Sequence, residues 1–279
     1  MKIKLVIILF MFFTVPFFVN GQNVAVKPIK ILIVPGHDDQ SPGAQYGNIR
    51  ETDMTLSLAN EIYSILKKDK RFDVHITRNW QGYTKEFSNY FLNQKESILA
   101  FREKAKEITK EKILNGSFVK KTNVSHVSAS NNVSLKLYGI NKWVDDNQID
   151  LVLHIHFNDY PRKNKWEIGK YKGIAIYVPE KQMVNAEGSK NIANKIFEQL
   201  TKKYLVSNLK EESSGVIEDQ NLIAIGARGT IISSVRSVLI EYGYIYGKIF
   251  RNTTTRHKAY KDMADFTTKG IINYFYPSL

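Results

Sequence analysis

From Ile29 onward, short apolar runs alternate with stretches in which apolar positions recur at helical spacing. The runs Ile29 to Val34, Phe72 to Thr77, Leu151 to His156, Gly173 to Val178 and Val238 to Tyr242 predict five strands. A helix is expected from about Thr52 to Lys68, where Leu58, Ile62, Ile65 and Leu66 share one face. Further helices are expected from Ala186 to Tyr204 and from about His257 to Phe275. Strands alternating with helices predict an α/β fold, a single domain whose mostly parallel, mixed central sheet is flanked by helices.

One connection is out of proportion. Seventy-eight positions separate Arg78 from His156, far more than one crossover requires. Glu86 to Leu114 reads as one charged amphipathic helix, with Phe87, Phe91, Ile98, Ala105 and Ile108 as its apolar members. Asn115 to Ser134 reads as a polar Asn/Ser-rich loop. The expectation is a helical and loop insertion at about 86–132, between strands two and three.

The first residues do not fit this alternation. Lys2 and Lys4 precede fifteen mostly apolar residues, Leu5 to Val19, followed by Asn20 and Gly21. That order describes a secretory signal peptide at 1–21, leaving a mature domain at 22–279. The run is shorter than the roughly 20 residues a spanning helix needs, so no stable membrane span is expected after cleavage. The protein is therefore expected to be exported, periplasmic or extracellular.

Composition narrows the chemistry. With 43% hydrophobic and 24% charged residues over 279 positions, the chain is globular rather than disordered. It has no cysteine, which excludes disulfides, a thiol nucleophile and thiolate-bound metal. Any metal must therefore sit on His, Asp or Glu. The net charge of +13 falls to +11 without the leader, which suits an anionic polymer or surface. A nucleic acid is not expected, because no recognisable binding motif accompanies the charge.

In open α/β sheets, ligands sit beyond the carboxyl ends of the strands. There the sequence places His37 after Pro35-Gly36, and His154, His156 and Asn158 on one face of the third strand. Glu241 interrupts the apolar last strand, and Glu51 opens the first helix after a Gly-containing loop. Two His and a carboxylate around an open position form a catalytic zinc set, and a further carboxylate off the metal can act as a base. Residue types alone leave this equal to a reading in which each is a satisfied strand-end polar group. Glu51 already has a reason to sit at a helix start, facing the positive end of the helix dipole.

These motifs, in this order, resemble the zinc-dependent N-acetylmuramoyl-L-alanine amidases, amidase type 3. The resemblance rests on Pro35-Gly36-His37, Pro42-Gly43-Ala44, Arg50-Glu51-Thr52-Asp53, Thr77-Arg78, Asp150-Leu151 leading to His154-Ile155-His156-Phe157-Asn158, and Leu239-Ile240-Glu241-Tyr242-Gly243-Tyr244. It covers almost the whole mature chain apart from the insertion. It implies zinc on His37, Glu51 and His156, with Glu241 as catalytic base. The implied reaction is hydrolysis of the amide between N-acetylmuramic acid and L-alanine in peptidoglycan. His154 and Asn158 would then be second-sphere partners or substrate contacts.

Four departures from the family pattern stand out. Val34 replaces an Asp, Asp38-Asp39 replace two glycines, the loop to Glu51 is one residue shorter, and His154 replaces a Ser. Some members of the family carry a helical segment that covers the active site until a partner moves it. The 86–132 insertion therefore reads either as such a lid, acted on by an activator protein, or as a peripheral decoration. Two other functions stay open: a different exported zinc peptidase acting on wall peptides, and a catalytically silent wall-binding or regulatory protein on the same scaffold.

Overall fold

Ile31, Ile33, Leu153, Ile155, Val238 and Ile240 are all buried on one face of a sheet, while Leu32, Val34 and Val152 are buried on the other. Strands covered on both faces carry continuous rather than alternating apolar sequence, which is why these runs are legible as central strands. The structure is a computed structural model that describes residues 27–121, 130–225 and 233–277. The leader expected at 1–21 and part of the polar loop, including His126, lie outside the described residues.

The six-stranded sheet has the order β4-β1-β7-β10-β8-β9. Its members are β1 (Ile29–Pro35), β4 (Phe72–Ile76), β7 (Leu151–Asn158), β8 (Ala175–Pro179), β9 (Val216–Asp219) and β10 (Arg236–Tyr244). All neighbours pair in parallel except β8 and β10, so the sheet is mixed, as expected. Two small hairpins, β2 (Gln45–Tyr46) with β3 (Ile49–Arg50) and β5 (Arg78–Asn79) with β6 (Gly82–Tyr83), decorate the strand ends.

One sheet face is covered by α1 (Glu51–Leu66), α5 (Ala186–Leu200) and α7 (Thr253–Phe275). A short α6 (Lys248–Arg251) leads into α7. In α1, Met54, Leu58, Ala59, Ile62 and Leu66 form the buried stripe that fixes its roll on the sheet. The opposite face is covered by α2 (Lys85–Asn93) and α4 (Asn131–Asp146), through Phe87, Ile140, Trp143 and Val144. Among the described residues no helix is long and apolar enough to cross a membrane.

The long connection differs from expectation in three places. The single helix expected from Glu86 to Leu114 is two, α2 and α3 (Lys95–Leu114), because Gln94 leaves helical geometry at φ −107° and ψ 15°. The two halves bury different faces: Phe87 packs against Trp143, whereas Ile98 and Ala105 pack with Phe118, Tyr138 and Met183. A continuous helix cannot serve both. The loop expected to run through Ser134 ends earlier, where Ser130 caps α4 by accepting from the Val133 amide at 3.4 Å. Helix α4 and strand β9 escaped the sequence reading: Asn131, Asn132 and Gly139 weaken one pattern, and four residues are too few for the other.

Phe87 is fully buried, with its ring 4.7 Å from that of Trp143. Helix α2 is thus part of the core although it opens the long connection. Phe87→Ala is expected to destabilise the protein by about 3–5 kcal/mol in urea unfolding. Leu92→Ala, on the exposed side of the same helix, is expected to shift it by less than about 0.5 kcal/mol.

Candidate metal centre

Because β1, β7 and β10 run parallel, their carboxyl ends reach the same edge of the sheet, and the first turn of α1 starts there. His37 follows β1, His156 lies near the end of β7, and Glu51 is the first residue of α1. The structure brings these three together: one ligand atom from each lies within 4.8 Å of the others. Glu51 stands between the two rings, with His37 Nε2 3.0 Å from Oε2 and His156 Nδ1 3.1 Å from Oε1. The imidazoles meet edge to face, with centroids 5.0 Å apart.

The backbone holds Glu51 in place. The Ala44 amide donates to Oε2 at 2.9 Å and the Phe157 amide to Oε1 at 3.1 Å. The Glu51 amide in turn donates to the Ala44 carbonyl at 2.9 Å, closing a ring between the loop and the helix start. Burial pushes the Glu51 carboxyl up, but its bonds to His156 and His37 outweigh that and hold it well below the usual carboxylate range. Burial also pushes His37 down, yet Glu51 and the Ser41 backbone leave it raised. In His156 burial prevails over the bond to Glu51, and the ring is lowered.

The glycines of the two loops are there for room. A Cβ on Gly36 would lie 2.4 Å from the His156 ring. A Cβ on Gly43 would lie 2.4 Å from Glu51 Oε2, and Gly43 has φ +74°, which side-chain-bearing residues rarely adopt. His37 itself adopts φ 65°, a left-handed conformation held by the contacts around it.

Arg78, seen in the sequence only as half of a motif, fastens this assembly. It is 4% exposed, and its Nη2 donates to Gly36 O at 2.9 Å, Thr52 O at 2.7 Å and Thr55 Oγ1 at 3.0 Å. Its Nε donates to Pro35 O at 3.3 Å. One guanidinium thereby joins the end of β1 to the first turn of α1, the two elements that carry His37 and Glu51. Burial lowers its pKa, although Tyr83 and several aspartates favour the charge.

Glu241 pairs in register with His156 across β10 and β7, so both side chains emerge on the same sheet face. The residue is half-buried, but its Oε2 is sealed from solvent and has no hydrogen-bond partner among the described residues. Burial, reinforced by the charges of Glu51 and Glu212, pushes the Glu241 carboxyl well above its ordinary value. A sealed carboxyl with a shifted pKa beside a metal-type cluster makes Glu241 a candidate functional group.

His154 is only 1% exposed, beneath the site rather than facing it, and burial lowers its pKa to about 3. Its Nε2 has no partner among the described residues. Asn158 donates to Glu212 Oε1 at 2.6 Å. Sequence reasoning missed Glu212, a buried carboxylate that also accepts from Tyr177 at 2.8 Å and Tyr244 at 3.0 Å. Tyr244 was at least visible beside Glu241; Glu212 sits in a charged run that reads as solvated surface.

The departures at 34, 38 and 39 resolve locally. Val34 belongs to the apolar layer under α2 and α4. The Asp38 carboxylate is met by Lys136 of α4 at 2.6 Å, and that bond outweighs burial and lowers its pKa. Asp39 is 72% exposed and faces Arg50 at 3.6 Å. Asp38 thus has a cation of its own, whereas Asp39 shares Arg50 with Asp53, which lies 2.8 Å from the guanidinium.

With this geometry in hand, comparisons with known proteins are specific. The family model described as N-acetylmuramoyl-L-alanine amidase matches residues 31–105 and 105–273. A probable N-acetylmuramoyl-L-alanine amidase AmiB of Haemophilus influenzae is 39% identical over 85 residues, a stretch covering 30% of this chain and 18% of that protein. An N-acetylmuramoyl-L-alanine amidase from Clostridium difficile 630 superposes with a TM-score of 0.55 at 16% identity, covering 90% of this chain and 99% of that one. The CwlD amidase of Clostridioides difficile, solved in complex with the GerS lipoprotein, gives 0.56 at 14% identity, covering 90% and 100%. The apo form of Ami1 from Mycobacterium abscessus gives 0.55 at 14%, covering 88% and 98%. At these identities the structural likeness is one of fold.

Arg78→Met is expected to cost about 3 kcal/mol in urea unfolding, because the carbonyls of Gly36 and Thr52 lose their buried donor. Arg50→Met, whose guanidinium is 43% exposed, is expected to cost less than about 1 kcal/mol.

Proposed function

The chain belongs to the N-acetylmuramoyl-L-alanine amidase family, and from that premise we propose that it hydrolyses the amide between N-acetylmuramic acid and L-alanine in peptidoglycan, with zinc held by His37, Glu51 and His156 and Glu241 as the proton-transferring residue. The observation that carries this reading is the meeting of two imidazoles and a carboxylate within 4.8 Å, with Glu241 in register beside His156. The donor set suits zinc: two neutral-capable nitrogens and one carboxylate, in a chain that has no thiolate to offer. Two backbone amides fix the carboxylate, so the set is oriented before any ion arrives.

When bound there, zinc supplies Lewis-acid polarisation of the scissile carbonyl and acidifies the attacking water. The chain's residues do the rest. Glu241 accepts the proton of the attacking water and returns it to the departing alanine nitrogen, so one carboxyl acts first as base and then as acid. Its raised pKa brings it nearer the operating pH than an exposed glutamate. Arg78, Gly36 and Gly43 keep the ligand loops at the spacing this requires.

The mature domain at 22–279, with its insertion at about 86–132, is on this reading the catalytic unit, exported through the leader at 1–21 to the periplasm or beyond. Export fits a wall polymer as substrate, and no cysteine needs protecting there. We also assign the insertion as the place where an activator protein would act. The CwlD amidase was solved with a lipoprotein partner, and α3 ends in the exposed Leu114, 77% accessible.

The test is digestion of purified peptidoglycan by the protein without its leader. Stem peptides with a free L-alanine amino terminus are expected by mass spectrometry, and their loss on adding a zinc chelator. Glu241→Gln is expected to lower the rate by about 10²–10⁴-fold while retaining one bound zinc. His156→Ala is expected to lose both. Muropeptides cut elsewhere in the stem would replace this reading with a peptidase, and wall left intact by the zinc-bound protein both with and without residues 95–121 would replace it with a silent scaffold.

Replacing residues 95–121 by a short Gly/Ser linker removes α3 but leaves Phe87 in the core. A severalfold gain in hydrolysis is expected if the insertion restrains the site. An unchanged rate assigns it a packing role alone.

A further inference from the structure

In the connection between β7 and β8, residues 159–174, the stretch 159–172 concentrates exposed aromatic and basic side chains directly after the strand that carries His156. Trp166 is 59% exposed, Ile168 54% and Tyr160 39%. Lys163, Lys165, Lys170 and Lys172 are all exposed, and among the described residues none of the four forms an ion pair. Lys165 Nζ lies 5.8 Å from the Trp166 ring centre and Lys170 Nζ 4.9 Å from that of Tyr171, so cations and rings form one contiguous patch, of the kind that marks binding surfaces.

The loop is a rigid platform. Arg162, with a side chain 6% exposed, grips Asp159 through two bonds of 2.9 Å. It also donates to the carbonyls of Lys165 at 3.2 Å and Glu167 at 3.0 Å, and its guanidinium lies 5.1 Å from the Tyr246 ring centre. The same group donates to Gln45 O at 2.7 Å, and the Gly47 amide donates to Lys165 O at 2.9 Å. Those two bonds dock the loop on the β2–β3 hairpin, which runs straight into Glu51. The Trp166 indole rests on Gly47, where a Cβ would come within 2.4 Å of the ring. One indole face is thus backed by main chain while the residue stays mostly open to solvent.

We propose that residues 160–172 form the subsite that anchors the peptidoglycan strand beside the metal centre, Trp166 stacking against it and Lys163 and Lys165 pairing with the stem-peptide carboxylates. This deepens the proposed amidase reading and rests on it. The occupant follows from complementarity: a sugar–peptide polymer offers apolar faces for an indole and carboxylates for unpaired ammonium groups. Position follows from continuity, since the loop touches the segments that carry both Glu51 and His156. A loop preformed by Arg162 holds these side chains in place before binding, which lowers the ordering cost.

The test uses the full mature chain carrying Glu241→Gln, co-sedimented with purified peptidoglycan stripped of accessory polymers. Adding Trp166→Ala with Lys163→Glu and Lys165→Glu is expected to weaken binding at least about tenfold. Lys104→Glu with Lys110→Glu on α3, a similar charge change away from the loop, is expected to change it less than about twofold. The lysine pair without Trp166→Ala serves as a surface-only variant should the triple variant melt early. Amidating the stem carboxylates is expected to erase the difference between parent and lysine variant. Equal binding by loop and control variants, full loop-dependent binding to amidated wall, or no sedimentation of the parent overturns the proposal. Hydrolysis by the unsubstituted protein is measured on the same material. Hydrolysis with loop-independent binding removes this inference alone, whereas binding without hydrolysis, with residues 95–121 present or replaced, removes the amidase reading.

Discussion

The Glu51 carboxylate is the constraint around which the rest of the site is arranged. It faces two imidazoles and accepts two backbone amides, so each of its oxygens has one side-chain and one main-chain partner. Such a group, nearly fully buried, survives as an anion only because those partners are in place. The four partners come from three segments: His37 from the loop after β1, the Ala44 amide from the loop before α1, and both His156 and the Phe157 amide from β7. Holding one carboxylate therefore sets the spacing of three chain segments at once. Glycine at 36 and 43 follows from that spacing, and so does the buried guanidinium of Arg78, which supplies donors where two of those segments expose carbonyls.

The sheet supplies the second half of the arrangement. Parallel pairing of β7 with β10 puts His156 and Glu241 side by side without any loop to position them. A carboxyl fixed by strand register is sealed at Oε2, close enough to Glu51 and Glu212 to feel both charges. Two carboxylates within one site thus separate in proton affinity. Glu51, paired and hydrogen-bonded, stays ionised, while Glu241, unpaired and buried, holds its proton more strongly. On the proposed reading, that separation suits Glu51 to holding an ion and Glu241 to moving a proton.

How much of this was legible in the sequence depended on the range of the interaction that decides each element. The central strands announce themselves because burial on both faces makes them apolar throughout. His37, Glu51, His156 and Glu241 stand out as polar residues at strand ends, where apolar sequence makes them conspicuous. Arg78 did not disclose its role, since its partners are backbone carbonyls that any sequence provides. Glu212 was hidden by its exposed-looking neighbours Lys210, Glu211 and Ser213, and Arg162 by a run of lysines. The break at Gln94 was equally silent: it arises because two tertiary surfaces compete for one helical face, and local propensity records neither surface. Helix α4 carries Trp143 into the core yet begins with two asparagines, so composition pointed to a loop where packing made a helix.

The long connection also bears on the chemistry of the site. Its α4 delivers Lys136 to Asp38, the residue next to His37, at 2.6 Å. Asp38 in turn shapes the tight turn through bonds from the Gln40 and Ser41 amides at 3.0 and 2.9 Å. An aspartate pair beside a metal-type centre would, left alone, oppose a second negative charge arriving there. Lys136 offsets Asp38, the less exposed of the two, while Asp39 stands in solvent and shares Arg50 with Asp53, so the cation on α4 is what offsets the aspartate next to His37. Core packing through Trp143 and Phe87 fixes α4 on the sheet, and Lys136 lies on the same side of the helix as Ile140 and Trp143, one and two turns before them, so apolar burial further along that face sets its position. The same segment that reads as surplus length therefore supplies a covering for one sheet face and the charge balance for the loop that carries His37.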